Sequence, residues 1–126
     1  MSSFSRDPVY PREHSLPEDF KNLIELVEHS QRRELAETQI EAEVAGFGLL
    51  VAPLIFRQLY RTVDHDLLFS SQTDLVMPDI KRVTNQFLQE TKSETQSNQH
   101  FSWMVDIISR EVRIFILGKR DVGTEE

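Results

Sequence analysis

Thirteen consecutive residues without a charge, VAGFGLLVAPLIF from Val44 to Phe56, stand in a 126-residue chain of which 28% is charged. This run constrains the fold more than any other stretch, because something must cover it. A helix that crosses a bilayer needs about 20 apolar residues. Glu41 and Glu43 bound the run on one side and Arg57 on the other. At about 1.5 Å per residue it reaches roughly two-thirds of the way across a hydrocarbon core. The flanks also lack the Lys/Arg density of a helix lying in the membrane interface. The sequence thus argues against membrane insertion and for burial in protein, either in the chain's own core or against a partner.

The run leaves two local readings open. Gly46 and Gly48 each weaken a helix by about 1 kcal/mol relative to Ala. An interior Pro53 would remove the hydrogen bond to Leu49 and kink the rod. Either one kinked helix runs on through RQLYRTV to Val63, or the glycines end one helix and Pro53 opens the next. Both place Leu54, Ile55, Gln58, Leu59 and Arg61 on a helix of at least two turns.

Other segments read as helices on their own signals. In SLPE, Ser15 and Glu18 have capping-box spacing and Pro17 falls in the first turn, where its missing N–H costs nothing. Phe20, Leu23, Ile24 and Val27 then follow at i, i+3, i+4 and i+7. Residues 34–43, ELAETQIEAE, are helix formers with few large apolar side chains. Pro78 and Asp79 open a helix expected to run to about Thr91, with Ile80, Val83 and Phe87 on its buried face and Thr84 or Leu88 beside them. Residues 64–77 lack a sustained period and read as a loop with one or two short turns. Residues 92–99, KSETQSNQ, form a polar linker short enough to join antiparallel helices.

The segment 100–118 carries two signals. Phe101, Trp103, Val105 and Ile107 alternate as in a strand, and VRIFIL is rich in β-branched residues, which would give an α+β fold with a C-terminal hairpin. The intervening SRE, however, holds no turn residue. A helix accounts for more: Ser102, Asp106, Ser109, Arg110 and Arg113 form one polar stripe, opposite Phe101, Met104, Val105, Ile108, Val112, Phe115 and Ile116. Gly118 with Lys119 and Arg120 resembles a helix stop. The expectation is an all-α protein, a small antiparallel bundle of about four helices. A flexible arm (1–14) precedes a single helical domain (15–118), and a frayed tail (119–126) comes after it.

Little in the sequence points to chemistry. With no cysteine, thiolate catalysis, disulfides and Cys-based zinc sites are out, and a reducing, cytoplasmic compartment fits. The first twenty residues hold no apolar signal segment. The net charge is −7, and the basic pairs Arg32-Arg33, Lys81-Arg82 and Lys119-Arg120 never extend to a third basic residue, which argues against a nucleic-acid partner. Asp64-His65-Asp66 could hold a metal or a general base, but three adjacent residues rarely converge on one ion, and no second histidine has ligand spacing. A capping role for Asp64 or Asp66 accounts for the same residues. Glu25 and His29 stand at i and i+4, not at the i, i+3 spacing of di-iron bundles. No cofactor or metal site and no enzymatic activity are expected.

A bundle helix needs only one apolar face buried, whereas both Val44–Phe56 and Phe101–Leu117 carry more. The expected function is therefore a non-enzymatic protein–protein interaction module, an adaptor, assembly factor or small subunit whose partner is itself or another protein. The candidate interface is Phe47, Leu50, Leu54, Ile55, Leu59, Trp103, Ile107 and Ile114. A central helix surrounded by the others would absorb one such surplus within the chain. The alternative function is a ligand-sensing helical domain with a pocket near Phe47, Tyr60, His65 and Trp103.

Overall fold

The computed structural model describes residues 15–33, 37–70, 75–93 and 100–124. The expected arm at 1–14 and most of the linker at 92–99 lie outside them. Five helices follow in order: α1 (Leu16–Arg33), α2 (Glu37–Thr62), α3 (His65–Leu68), α4 (Met77–Thr91) and α5 (Phe101–Thr124). Among the described residues there is no strand. The four long helices form the expected bundle, and the fifth is a single turn inside the loop after α2.

The run Val44–Phe56 belongs to one 26-residue helix that carries Pro53 in its interior. Proline removes the donor that would bond the Leu49 carbonyl. Leu49 is 63% exposed, so water can take that donor's place. The two-helix reading is thereby resolved in favour of the continuous rod. α2 is also the centre of the bundle, touching α1, α3, α4 and α5. Ile40, Val44, Phe47, Val51, Leu54, Ile55 and Leu59 are buried along it, and each such side chain contributes about 1.5–3 kcal/mol of hydrophobic stabilisation.

Two aromatic contacts and a glycine set the helix directions. Phe20 of α1 stacks on Phe47 at 5.3 Å between ring centroids and meets Phe101 at 5.5 Å. Gly48 abuts Ile108 and Glu111, and Phe56 meets Phe115 edge-on at 5.5 Å. Contacts thus advance together along both chains, so α2 and α5 run parallel. They also form the most extensive helix pair in the molecule. α1 and α4 run antiparallel to α2: Leu16 and Pro17 share a groove with Leu54 and Arg57, and Leu26 shares one with Glu43. Arg82 lies beside Thr62, whereas Thr91 lies beside Leu54.

Gly48 explains why the parallel pair is so close. A Cβ built there would stand 3.3 Å from the Cα of Ile108 and 3.1 Å from the Cγ of Glu111. The glycine that weakens α2 as an isolated helix is the position at which α5 approaches its backbone.

The apolar stripe of α1 (Phe20, Leu23, Ile24, Val27) is buried as its period requires, as are Ile80, Val83, Thr84 and Leu88 of α4; Phe87 is half-buried. At its C-terminus α4 ends at Thr91, with the Lys92 N–H donating to the Leu88 carbonyl at 3.0 Å. Lys81 and Asp106 tie α4 to α5 through an exposed ion pair of 3.4 Å, an interaction worth at most about 1 kcal/mol.

In α5 the structure meets the helical expectation and departs from it at two points, Gly118 and Ser109. The hairpin alternative at 100–118 is not supported, because Phe101–Thr124 is one helix. Gly118 does not stop it: nothing lies near a Cβ built there, its φ is not positive, and the helix continues through residues 119–124 of the expected tail. Glycine permits a left-handed stop without imposing one. Ser109, read as part of the polar stripe, is fully buried, because α5 packs against both α2 and α4 and so buries more than one face.

Two glycine substitutions separate these claims. Gly118→Ala should raise unfolding free energy by roughly 1 kcal/mol, the helix-propensity gain at an unencumbered position, whereas a left-handed stop would make it destabilising. Gly48→Val should lower it by about 1–3 kcal/mol through overpacking against α5. Urea denaturation followed by circular dichroism reads both.

Candidate interaction surface

The expected interface residues divide sharply in the fold. Ile55 and Leu59 are fully buried, and Phe47, Leu54 and Ile107 are buried with them in the chain's own core. These five are corrected from interface to core, because α1, α4 and α5 already cover them. Trp103 is half-buried against the core. Leu50 and Ile114 remain at the surface, 37% and 59% exposed. The apolar surplus of α2 left at the surface thus lies on residues other than most of those expected.

That side is legible on the helix itself. Around α2, the buried residues occupy the arc that faces α1, α4 and α5. On the opposite arc Ala42, Gly46, Leu49, Pro53, Phe56 and Tyr60 follow at alternating spacings of four and three, a repeat that stays on one face of a helix. Ala42, Gly46, Leu49 and Tyr60 are exposed, while Pro53 and Phe56 are half-buried. The stripe carries no charge over its whole length. Phe56 continues it onto α5 through Phe115, and Ile114 stands exposed beside Phe115 in sequence. Lys119 lies over the Phe115 ring at 5.4 Å, a cation–π geometry.

By length and composition α2 is apolar enough to cross a membrane, and 44% of its most apolar window is buried inside the bundle. That stretch is longer than the uncharged run read from the sequence.

At the C-terminal end of the stripe the Asp64-His65-Asp66 cluster does local structural work. Asp64 is the N-cap of α3, its carboxylate accepting from the Asp66 N–H at 3.4 Å. Asp and Asn are favoured there because the side chain satisfies a donor that the first turn leaves free. His65 turns away from both carboxylates. Its Nε2 lies 2.9 Å from the Tyr60 carbonyl; a carbonyl can only accept, so Nε2 carries the proton. The imidazole also lies over the Tyr60 ring, with centroids 4.1 Å apart, and Phe69 meets both rings edge-on. The imidazole therefore clasps the last turn of α2. Among the described residues no three His, Asp or Glu side chains converge on one point.

The expected ligand pocket does not assemble. Tyr60 and His65 meet, but Phe47 is stacked on Phe20 at the other end of the α2–α5 pair. Trp103 precedes Phe115 by twelve residues, about 18 Å along a helix. Grooves of about 350, 130 and 370 Å³ open between α1, α2 and α4, and none is lined by Tyr60, His65 or Trp103.

No known family, curated protein or solved structure matches the chain.

Because the core is filled by the opposite arc of α2, aspartate should be tolerated on the exposed arc and not on the buried one. Ile55→Asp buries an unpaired carboxylate and should unfold the chain or cost more than about 4 kcal/mol. Leu49→Asp should change stability by less than about 1 kcal/mol. Thermal melts of the two variants check the assignment, and a folded Ile55→Asp protein would contradict it.

Proposed function

We propose that the protein is a non-enzymatic protein–protein interaction module whose contact surface is the exposed arc of α2, extended onto α5 by Ile114 and Phe115. The observation that carries this reading is Leu49, 63% exposed in the middle of an uncharged stripe that also includes the exposed Tyr60. Single exposed apolar residues are ordinary on any protein; a contiguous stripe on the most apolar helix is what marks an interaction site. Packing does not demand it, since the facing arc of the same helix already fills the core. Small residues at Ala42 and Gly46 leave the backbone of α2 open to close approach at one end, and aromatic rings supply contact area at the other. Tyr and Phe are enriched at interface cores because each buries a large rigid surface at small entropic cost.

The surface is held rigidly from behind. Other helices pack against α2 along its length, and its last turn is fixed by the His65 clasp. A surface presented this way loses little conformational freedom on binding, which favours affinity.

The test compares the wild-type chain with Leu49→Asp and with Ile114→Asp, each immobilised at equal density and exposed to an extract of its source cells. A partner retained by the wild type should fall by at least about tenfold on Leu49→Asp, with Ile114→Asp weaker in effect, the scale of losing a buried anchor residue. Circular dichroism of both variants should match the wild type. Retention that survives Leu49→Asp would place binding on another surface.

A further inference from the structure

The stripe on α2 is complementary to itself when turned end for end. We propose that its partner is a second copy of this chain, with the two α2 helices packed antiparallel about a two-fold axis centred between Leu49 and Pro53. This rests on the reading of the stripe as an interaction surface and names its occupant.

Three features of the sequence and fold lead to it. The first is size. In the antiparallel register Ala42 meets the other copy's Tyr60, Gly46 meets its Phe56, and Leu49 meets its Pro53, and the two-fold repeats each contact in reverse. A small residue faces a large one at the outer layers, so the helices can approach evenly along the whole seam. A parallel pair would set Phe56 on Phe56 and Tyr60 on Tyr60 at one end and Gly46 on Gly46 at the other, prising the helices apart where they are largest. The alternating four-and-three spacing is the repeat that keeps such a seam in register between two helices.

The second feature is charge. α2 carries acids only in its first part, at Glu37, Glu41 and Glu43, and bases only near its end, at Arg57 and Arg61. At about 100° per residue, Glu43, Arg57 and Arg61 fall on the same flank of the stripe. An antiparallel two-fold brings like flanks together, and Glu43 then stands opposite position 59, between Arg57 and Arg61 of the other copy. Glu43, Arg57 and Arg61 are all exposed, so none needs to leave the core to make the contact. A parallel pair would instead bring opposite flanks together at equal height, where Arg57 and Arg61 find no acid of the other α2.

The third feature is that Gly46 is open. A Cβ built there would meet nothing within 4 Å, so packing inside the chain does not require this glycine. Opposite a phenylalanine of a second copy, its small size is used.

Light scattering coupled to size-exclusion chromatography on the full chain, from about 1 to about 100 µM, tests the pairing together with charge-reversed variants. The wild type should show a monomer–dimer equilibrium. Glu43→Arg should weaken it by at least about tenfold, as should the double change Arg57→Glu with Arg61→Glu, since each places like charges opposite one another. Mixing these two variants should restore dimers, because the heterodimer has opposite charges at both of its contacts whereas each variant paired with itself has like charges at both. Every variant is read against unchanged circular dichroism, and Gly46→Phe, which leaves every charge in place, should also abolish the dimer. A wild type monomeric throughout the range would overturn the pairing while leaving the interaction surface to a different partner, still detectable by its loss on Leu49→Asp. Dimers that ignore charge reversal, or variants that fail to complement on mixing, would overturn the antiparallel arrangement. Dimers indifferent to Leu49→Asp as well would count against the surface itself.

Discussion

The close contact between Gly48 on α2 and Ile108 and Glu111 on α5 is the constraint on which the rest of the structure depends. In an up-down bundle the second and fourth long helices are diagonal partners and ordinarily stand apart. A glycine lets this diagonal close, since without a Cβ the backbone of one helix can lie directly on the other. Once the two are in contact, α1 and α4 occupy the remaining flanks of α2 and the core is filled around Phe20, Ile55, Leu59 and Ile108. One arc of α2 is then left with none of the described helices to cover it. The exposed stripe is thus a geometric consequence of the α2–α5 contact, and its apolar character is a choice of sequence that the fold does not require.

The same logic separates residues that stabilise from residues that recognise. Phe47, Leu54 and Ile55 share a run with Leu49 and differ from it by a rotation around one helix axis. Their burial makes them indispensable to folding, so substituting them says little about function. Leu49, Phe56 and Tyr60 contribute less to the core and are correspondingly free to serve a partner. His65, which looks chemical in the sequence, is explained by the end of α2: a helix terminus leaves carbonyls without donors, and the imidazole N–H supplies one to Tyr60. The arrangement asks nothing further of the two neighbouring carboxylates.

Much of the fold was legible in the sequence, and most of the surface was not. The amphipathic period of α1 and α4 gives their buried faces almost residue by residue, because each packs through a single stripe. The apolar excess of α2 and α5 was equally visible, but hydrophobicity alone carries no direction: where nearly every residue is apolar, nothing in the run distinguishes Ile55 from Leu49. The signal that does so is the second stripe, Ala42 to Tyr60, whose small and proline members lower its apparent hydrophobicity and hide its period. Gly118 shows another limit. A glycine with basic residues after it has the composition of a helix stop, yet its φ is set by the packing around it and by whether the next turn can still form. Ser109 failed as a surface marker because a helix packed on two sides no longer has one polar face.

A direct test of this account lies in the nuclear Overhauser contacts of two adjacent residues, Gly48 and Leu49. Within one chain the Gly48 α-protons should show cross-peaks to Ile108 and Glu111, while the Leu49 methyl groups show none to residues of the core. In a mixed sample of labelled and unlabelled chains, filtered for contacts between molecules, Leu49 should instead show cross-peaks to Pro53. Intramolecular core contacts from Leu49, with Gly48 free of α5, would mean that α2 is rotated about its axis and that the surface described here is its core.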